Sequence, residues 1–215
     1  MKRITLFLAA AAFMLGFGMT SAMAGAIRGA KEPIDWSGPY WGISGGIGAG
    51  RSEIYNNIGV STGPFDRHGG LLGVTGGYNW LLGPVIVGAE ADMSVSTIKG
   101  TTSVVCGFCS TNLKWLGTLR GRVGYPLGKF MPYVTGGLSV GRIKTELSPV
   151  FMDDTKLGWI AGGGLAYAFT TGFSAKTEYL YTDFGDSEKY AGSVIKITAK
   201  NSNYQIFRVG LNFAF

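Results

Sequence analysis

Read backwards from its carboxyl end, the chain alternates. Phe215, Phe213, Leu211, Val209 and Phe207 fall on one face, and Ala214, Asn212, Gly210, Arg208 and Ile206 on the other. A period of two means a strand with one apolar face and one small or polar face. The same pattern recurs upstream. Strands are predicted over roughly 40–51, 70–80, 85–96, 113–125, 131–145, 156–169 and 173–183, with the C-terminal stretch from Tyr204 as the eighth. On the third, Val85, Val87, Ala89, Ala91 and Met93 oppose Gly88, Glu90, Asp92 and Ser94. On the fourth, Trp115, Leu119, Val123 and Tyr125 oppose Thr118, Arg120 and Arg122. Val134, Leu138 and Val140 mark the apolar side of the fifth. On the sixth, Leu157, Trp159, Leu165, Tyr167 and Phe169 oppose mainly glycine and alanine. On the seventh, Phe173, Ala175, Tyr179 and Tyr181 oppose Ser174, Lys176 and Glu178.

The connections alternate too. Leu82-Gly-Pro84, Pro126 to Phe130 and Thr170 to Gly172 are short turns. The stretches 52–68, 97–112, 146–155 and 184–203 are expected to be long loops. An even strand count, short turns at one end and long loops at the other predict an all-β fold: an eight-stranded antiparallel up-and-down transmembrane β-barrel. Trp36, Tyr40, Trp41, Trp80, Tyr125, Tyr133, Phe169, Phe173 and Phe215 sit beside the short turns, and Trp115, Trp159 and Tyr181 near the loops. They are expected to form two interfacial girdles. A soluble ligand-binding barrel would turn the greasy face inward and put the charged face outside.

The N-terminus adds an address. Lys2 and Arg3 precede an apolar run from Ile4 to Phe17, and Ala22-Met23-Ala24 is a small-residue cleavage box. Residues 1–24 are therefore expected to be a cleaved signal peptide, 25–35 a periplasmic lead-in, and 36–215 the barrel. Without Lys2 and Arg3, 17 basic residues face 13 acidic ones, so the net charge falls from +6 to +4. That modest excess gives no support to nucleic-acid binding. No later stretch has the ~20 apolar residues a spanning helix needs.

Eight strands enclose a space about wide enough for side chains. The inward set is predicted to hold Glu90, Asp92, Arg120, Arg122, Lys176, Glu178 and Arg208. Buried charges must pair, so a side-chain-plugged lumen is expected in place of an open pore. Cys106-Gly-Phe-Cys109 lies among loop-type residues, which favours a disulfide formed in an oxidising compartment over a redox motif. His68 is the sole histidine, so neither a zinc site nor a Ser-His nucleophile is supported. No enzyme activity, cofactor or metal is expected. Arg51, Lys99, Lys114, Arg142, Lys144 and Lys156 gather where strands meet long loops, and are candidate contacts for the phosphates of lipopolysaccharide.

With the strands placed, the chain resembles the small surface-antigen barrels of alpha-proteobacteria, the outer-membrane immunogenic or small porin-like family. These are similar in architecture to the transmembrane domain of outer membrane protein A. The resemblance rests on Trp36-Ser-Gly-Pro-Tyr40, Gly76-Gly-Tyr-Asn-Trp80, Val87-Gly-Ala-Glu-Ala-Asp92, Gly117-Thr-Leu-Arg-Gly-Arg-Val-Gly-Tyr125, Pro132-Tyr-Val-Thr-Gly-Gly137, Gly158-Trp159, Ala175-Lys-Thr-Glu-Tyr-Leu-Tyr181 and Arg208-Val-Gly-Leu-Asn212. It implies residence in the Gram-negative outer membrane and surface antigenicity. It also implies insertion by the barrel-assembly machinery through a C-terminal aromatic signal, here Phe215 with Phe213 and Leu211. The expected role is a monomeric structural and interaction barrel. A small-solute porin is one alternative. A haem-binding receptor is another, for which His68, Tyr55 and Tyr190 are the candidate ligands.

Overall fold

The computed structural model describes residues 34–56, 65–102, 109–147, 150–170, 172–185, 187–191 and 195–214. Residues 1–24, expected to be a signal peptide, residues 25–33 of the expected lead-in, Cys106 and Phe215 lie outside them. Ten strands form: β1 Gly38–Asn56, β2 Phe65–Leu82, β3 Val85–Ser96, β4 Lys99–Thr102, β5 Cys109–Gly124, β6 Phe130–Leu147, β7 Val150–Thr170, β8 Phe173–Asp183, β9 Ser187–Ala191 and β10 Ile195–Ala214. Every ladder is antiparallel. β1 pairs with β2 on one side and β10 on the other, which closes the sheet. β4 continues the line of β3 between β2 and β5, and β9 continues the line of β8 along β10. The wall therefore has eight positions, a closed eight-stranded antiparallel barrel with no sheet edge at mid-height.

Along each strand the parity read from sequence holds. Ile47, Leu72, Val95, Val134 and Leu157 point outward, each more than 60% exposed, while Glu90, Arg120, Lys176 and Glu178 point inward and are at most 2% exposed. A water-soluble protein would not invert its polarity in this way, and the arrangement requires an apolar solvent outside. No helix among the described residues is long and apolar enough to cross a membrane. The strands do the crossing.

The strands outrun the predicted spans at the loop end. Segments 52–56, 65–68, 99–102, 109–112, 146–147, 150–155, 187–191 and 195–203 were expected in loops and lie in strands. Backbone ladder hydrogen bonds need no hydrophobic alternation, so the strands continue where that pattern stops. His68 accordingly sits on β2, pairs across to Lys99, and is exposed on the outer face, not in a loop.

The girdle reading also needs correction. On the outer face of the turn end, Trp41 stacks on Phe213 at 4.9 Å, Phe213 meets Phe173 at 5.1 Å, and Phe173 meets Phe169 at 5.2 Å. Tyr40 and Tyr133, however, point into the lumen, 6% and 5% exposed. Their rings lie over Gly77 and Gly164. A Cβ there would come within 2.6 Å of the Tyr40 ring and 2.7 Å of the Tyr133 ring. Glycine at those two positions is what gives each ring its place.

Candidate functional site

The lumen is filled in three layers. The layer toward the loops is apolar: Leu71, Ile98, Leu113, Leu116, Ile143, Ile160, Leu180, Phe184, Tyr204 and Ile206 pack into one cluster. Phe184 follows β8 and turns inward, its ring edge-on to Tyr204 at 6.0 Å. Arg67 is buried beside them. Its Nη1 donates to Tyr204 Oη at 2.6 Å, and its guanidinium lies 4.5 Å from the tyrosine ring centre. The sequence reading did not anticipate this layer.

The middle layer is ionic, and it brings together all seven charged residues singled out from sequence. Glu90 accepts from Lys176 Nζ at 2.8 Å and Tyr40 Oη at 2.7 Å, and from Arg120 Nη2. Asp92 Oδ2 accepts from Arg120 Nη2 at 2.9 Å, Arg208 Nη2 at 3.0 Å and Thr118 Oγ1 at 2.6 Å. Glu178 accepts from Arg208 Nε at 2.5 Å and Tyr133 Oη at 2.8 Å. Going round the wall, β3 and β8 are four positions apart, so the bond between Lys176 and Glu90 crosses the full diameter. Arg122 is the outlier. Its Nη1 donates to Tyr40 Oη at 3.1 Å, but its nearest carboxylate oxygen, on Glu90, is 3.6 Å away. The arrangement suits neither metal nor acid-base chemistry. Each carboxylate is taken up by cations, and no group of three His, Cys, Asp or Glu side chains among the described residues could hold a metal ion.

The third layer closes the turn end. Ile86, Met131, Tyr133 and Ala166 pack together, with Trp36 against them. Trp36 lies just before β1 and packs on this layer, not in a girdle. Its Nε1 donates to the Gly128 carbonyl at 3.1 Å, and its own carbonyl accepts from Asn79 Nδ2 at 2.9 Å. Just before it, the Ser37 hydroxyl and backbone N–H donate to Asp35 Oδ1 at 2.7 and 2.8 Å. Those bonds hold the Asp35 carboxyl below its usual range.

The remaining predicted residues do not form one site. Lys99, Lys114 and Arg142 are exposed on the outer face of β4, β5 and β6, and Lys144 is half-buried there. Lys99 and Lys144 flank Asn112 from either side, and Arg142 pairs with Trp115. Lys156 departs from this group. It shares the parity of Gly158 and Ile160, whose side faces the lumen. Arg51 lies on β1 opposite Asp66. Cys109 opens β5, Tyr55 lies on β1 and Tyr190 on β9.

A family model for the outer membrane protein beta-barrel domain matches residues 9–215. The chain belongs to this family. The barrel is an outer-membrane protein, and its turn end is periplasmic. Among curated relatives, the 31 kDa outer-membrane immunogenic protein of Brucella melitensis is 32% identical over 213 residues, covering 85% of this chain and 86% of the relative. The 25 kDa outer-membrane immunogenic protein of the same organism is 30% identical over 216 residues, 95% of each chain. The crystal structure of the outer membrane protein OprG from Pseudomonas aeruginosa covers 86% of this chain and all of its own, with a TM-score of 0.59 and 13% identity, a likeness of fold alone.

Proposed function

We propose that this barrel is a structural and surface-interaction protein of the outer membrane, a monomer whose lumen conducts no solute. One observation carries the reading: apolar, ionic and aromatic layers fill the same narrow interior, and the ionic one spans its diameter. The immunogenic names of the curated relatives support a surface role for the loop end. Phe213 and Leu211 face outward on β10, as a C-terminal assembly signal for the barrel-assembly machinery requires. Planar-bilayer recording of the purified, folded barrel tests closure. No stable unitary conductance is expected, and a large steady channel would establish the porin alternative.

A second reading concerns lipid. Lys99, Lys114 and Arg142 present cations on the outer face of three neighbouring wall positions, at the loop-side end of the apolar band near Trp115. Phosphorylated glycolipid in the outer leaflet is their natural counter-charge. Replacing the three with Gln should lower the lipopolysaccharide that copurifies with the barrel. Unchanged retention would count against this assignment.

A further inference from the structure

The ionic layer does not balance. It contains four cations, Arg120, Arg122, Lys176 and Arg208, against three anions, Glu90, Asp92 and Glu178. Arg120, Lys176 and Arg208 each donate to a carboxylate. Arg122 does not. Its guanidinium is held by a phenol oxygen and two ring faces, 4.6 Å from the Tyr133 ring centre and 5.4 Å from that of Tyr40. Rings and a phenol orient a cation without neutralising it. The excess charge therefore falls mainly on Arg122, 3% exposed, whose one carboxylate contact is the long 3.6 Å ion pair with Glu90. A buried cation held by only one long ion pair is costly, and it draws in a counter-ion wherever one can reach it.

One can reach it here. Arg122 lines a small, half-open recess at the periplasmic mouth with Tyr40, Asn79, Ser174 and Asn212. Asn79, Gly88 and Arg122 occupy one rung of β2, β3 and β5. The glycine between them leaves the two side chains adjacent, since a Cβ there would lie 2.5 Å from Asn79 Oδ1 and 3.0 Å from Arg122 Cγ. Three atoms of residues lining the recess, each buried just behind its surface, lack a hydrogen-bond partner: Arg122 Nε, Asn79 Oδ1 and Asn212 Oδ1. The first needs an acceptor and the other two need donors. Asp35 stands at the lip, but Ser37 occupies its Oδ1 and it forms no ion pair with Arg122.

We infer that the recess is a binding site for a small monovalent anion of the halide class together with its water, the anion accepting from Arg122 Nε and the water donating to Asn79 and Asn212. One negative charge balances the ionic layer. The apolar layer above blocks onward passage, so the anion is resident and not in transit. Its residence rests on the closed lumen proposed above; its binding does not.

Trp36, which lines the same recess, is the reporter. Folded barrel in detergent micelles is titrated with potassium iodide at constant ionic strength, with gluconate as the balancing anion. The part of the quenching that disappears in Trp36→Phe is taken as the Trp36 signal. That signal should saturate with iodide, be competed by chloride, and be lost in Arg122→Met. Because Arg122→Met alters a buried layer, Ser174→Asp gives a second test with the arginine intact: its carboxylate occupies the recess, and saturable quenching should again vanish. Folding of each variant is checked by heat-modifiable migration. Linear, non-saturating quenching of Trp36 in the unaltered barrel overturns the proposal. So does saturable quenching that survives in a folded form of either variant.

Discussion

The sharpest test of the charged layer is Glu90→Gln. The substitution keeps the size and removes one charge at the point where Lys176, Arg120 and Tyr40 converge. Lys176 Nζ and Glu90 Oε2 are 2.8 Å apart, which at an effective dielectric of about 20 is an attraction of roughly 6 kcal/mol. Desolvation of both groups offsets much of this in the native state. Removing only one partner recovers none of that cost, because Lys176 stays buried, and such truncations typically cost about 3–5 kcal/mol. The charge count gives the same direction: four cations would face two anions instead of three. Adding Lys176→Met returns the excess to one, with Arg120, Arg122 and Arg208 against Asp92 and Glu178. The double variant should therefore regain about 1–3 kcal/mol over Glu90→Gln alone. Urea titration of barrel folding into phospholipid vesicles measures both, from the midpoint and slope of heat-modifiable migration and tryptophan fluorescence. Glu90→Gln within about 1 kcal/mol of the unaltered barrel would refute the reasoning. A double variant less stable than Glu90→Gln would refute it too.

Gly164→Ala places a methyl 2.4 Å from the Thr177 carbonyl and 2.7 Å from the Tyr133 ring. It should cost about 1–3 kcal/mol in the same titration. The outward Gly121→Ala, whose Cβ would meet nothing closer than 3.9 Å, should change stability by no more than about 0.5 kcal/mol. Phe184→Ala empties part of the apolar layer and should cost about 3 kcal/mol. It should leave bilayer conductance at baseline, since the ionic layer beneath it is untouched.

The wall of this barrel was legible because lipid outside and a polar core inside make alternation mandatory. Val87 against Gly88, Leu119 against Arg120 and Tyr179 against Glu178 each announce which way the strand faces. The charged layer was legible for the same reason. Tyr40 and Tyr133 were misread because a tyrosine near a strand end suits an interface as well as a lumen, and only their shared parity with Gly42 and Thr135 separates the two. The upper apolar layer left no such trace. At Leu71 and Leu72, or Ile160 and its outward neighbour Trp159, both faces are apolar and the alternation disappears. The strand extensions were invisible because backbone ladder hydrogen bonds ask nothing of the side chains.

The packing that fills this lumen is spread over its length, and that limits how a path through it could be opened. Gating by one side chain needs a single constriction. Here, swinging Arg208 away from Glu178 and Asp92 would still leave Tyr133 seated on Gly164 below it and Phe184 packed against Tyr204 and Leu113 above. Each of those rings fills space left by an inward glycine: Gly141 under Phe184, Gly77 under Tyr40, Gly164 under Tyr133. To retract, a ring must leave a void in its own wall, and a narrow eight-stranded interior has nowhere else to put it. A solute path would need all three layers to rearrange together, which couples conduction to loss of the packing that stabilises the barrel. Recognition is thereby left to the two ends and the lipid-facing rim. There the anion recess beside Arg122, the basic outer face at Lys99, Lys114 and Arg142, and the strands that rise beyond the membrane present chemistry without disturbing the filled interior.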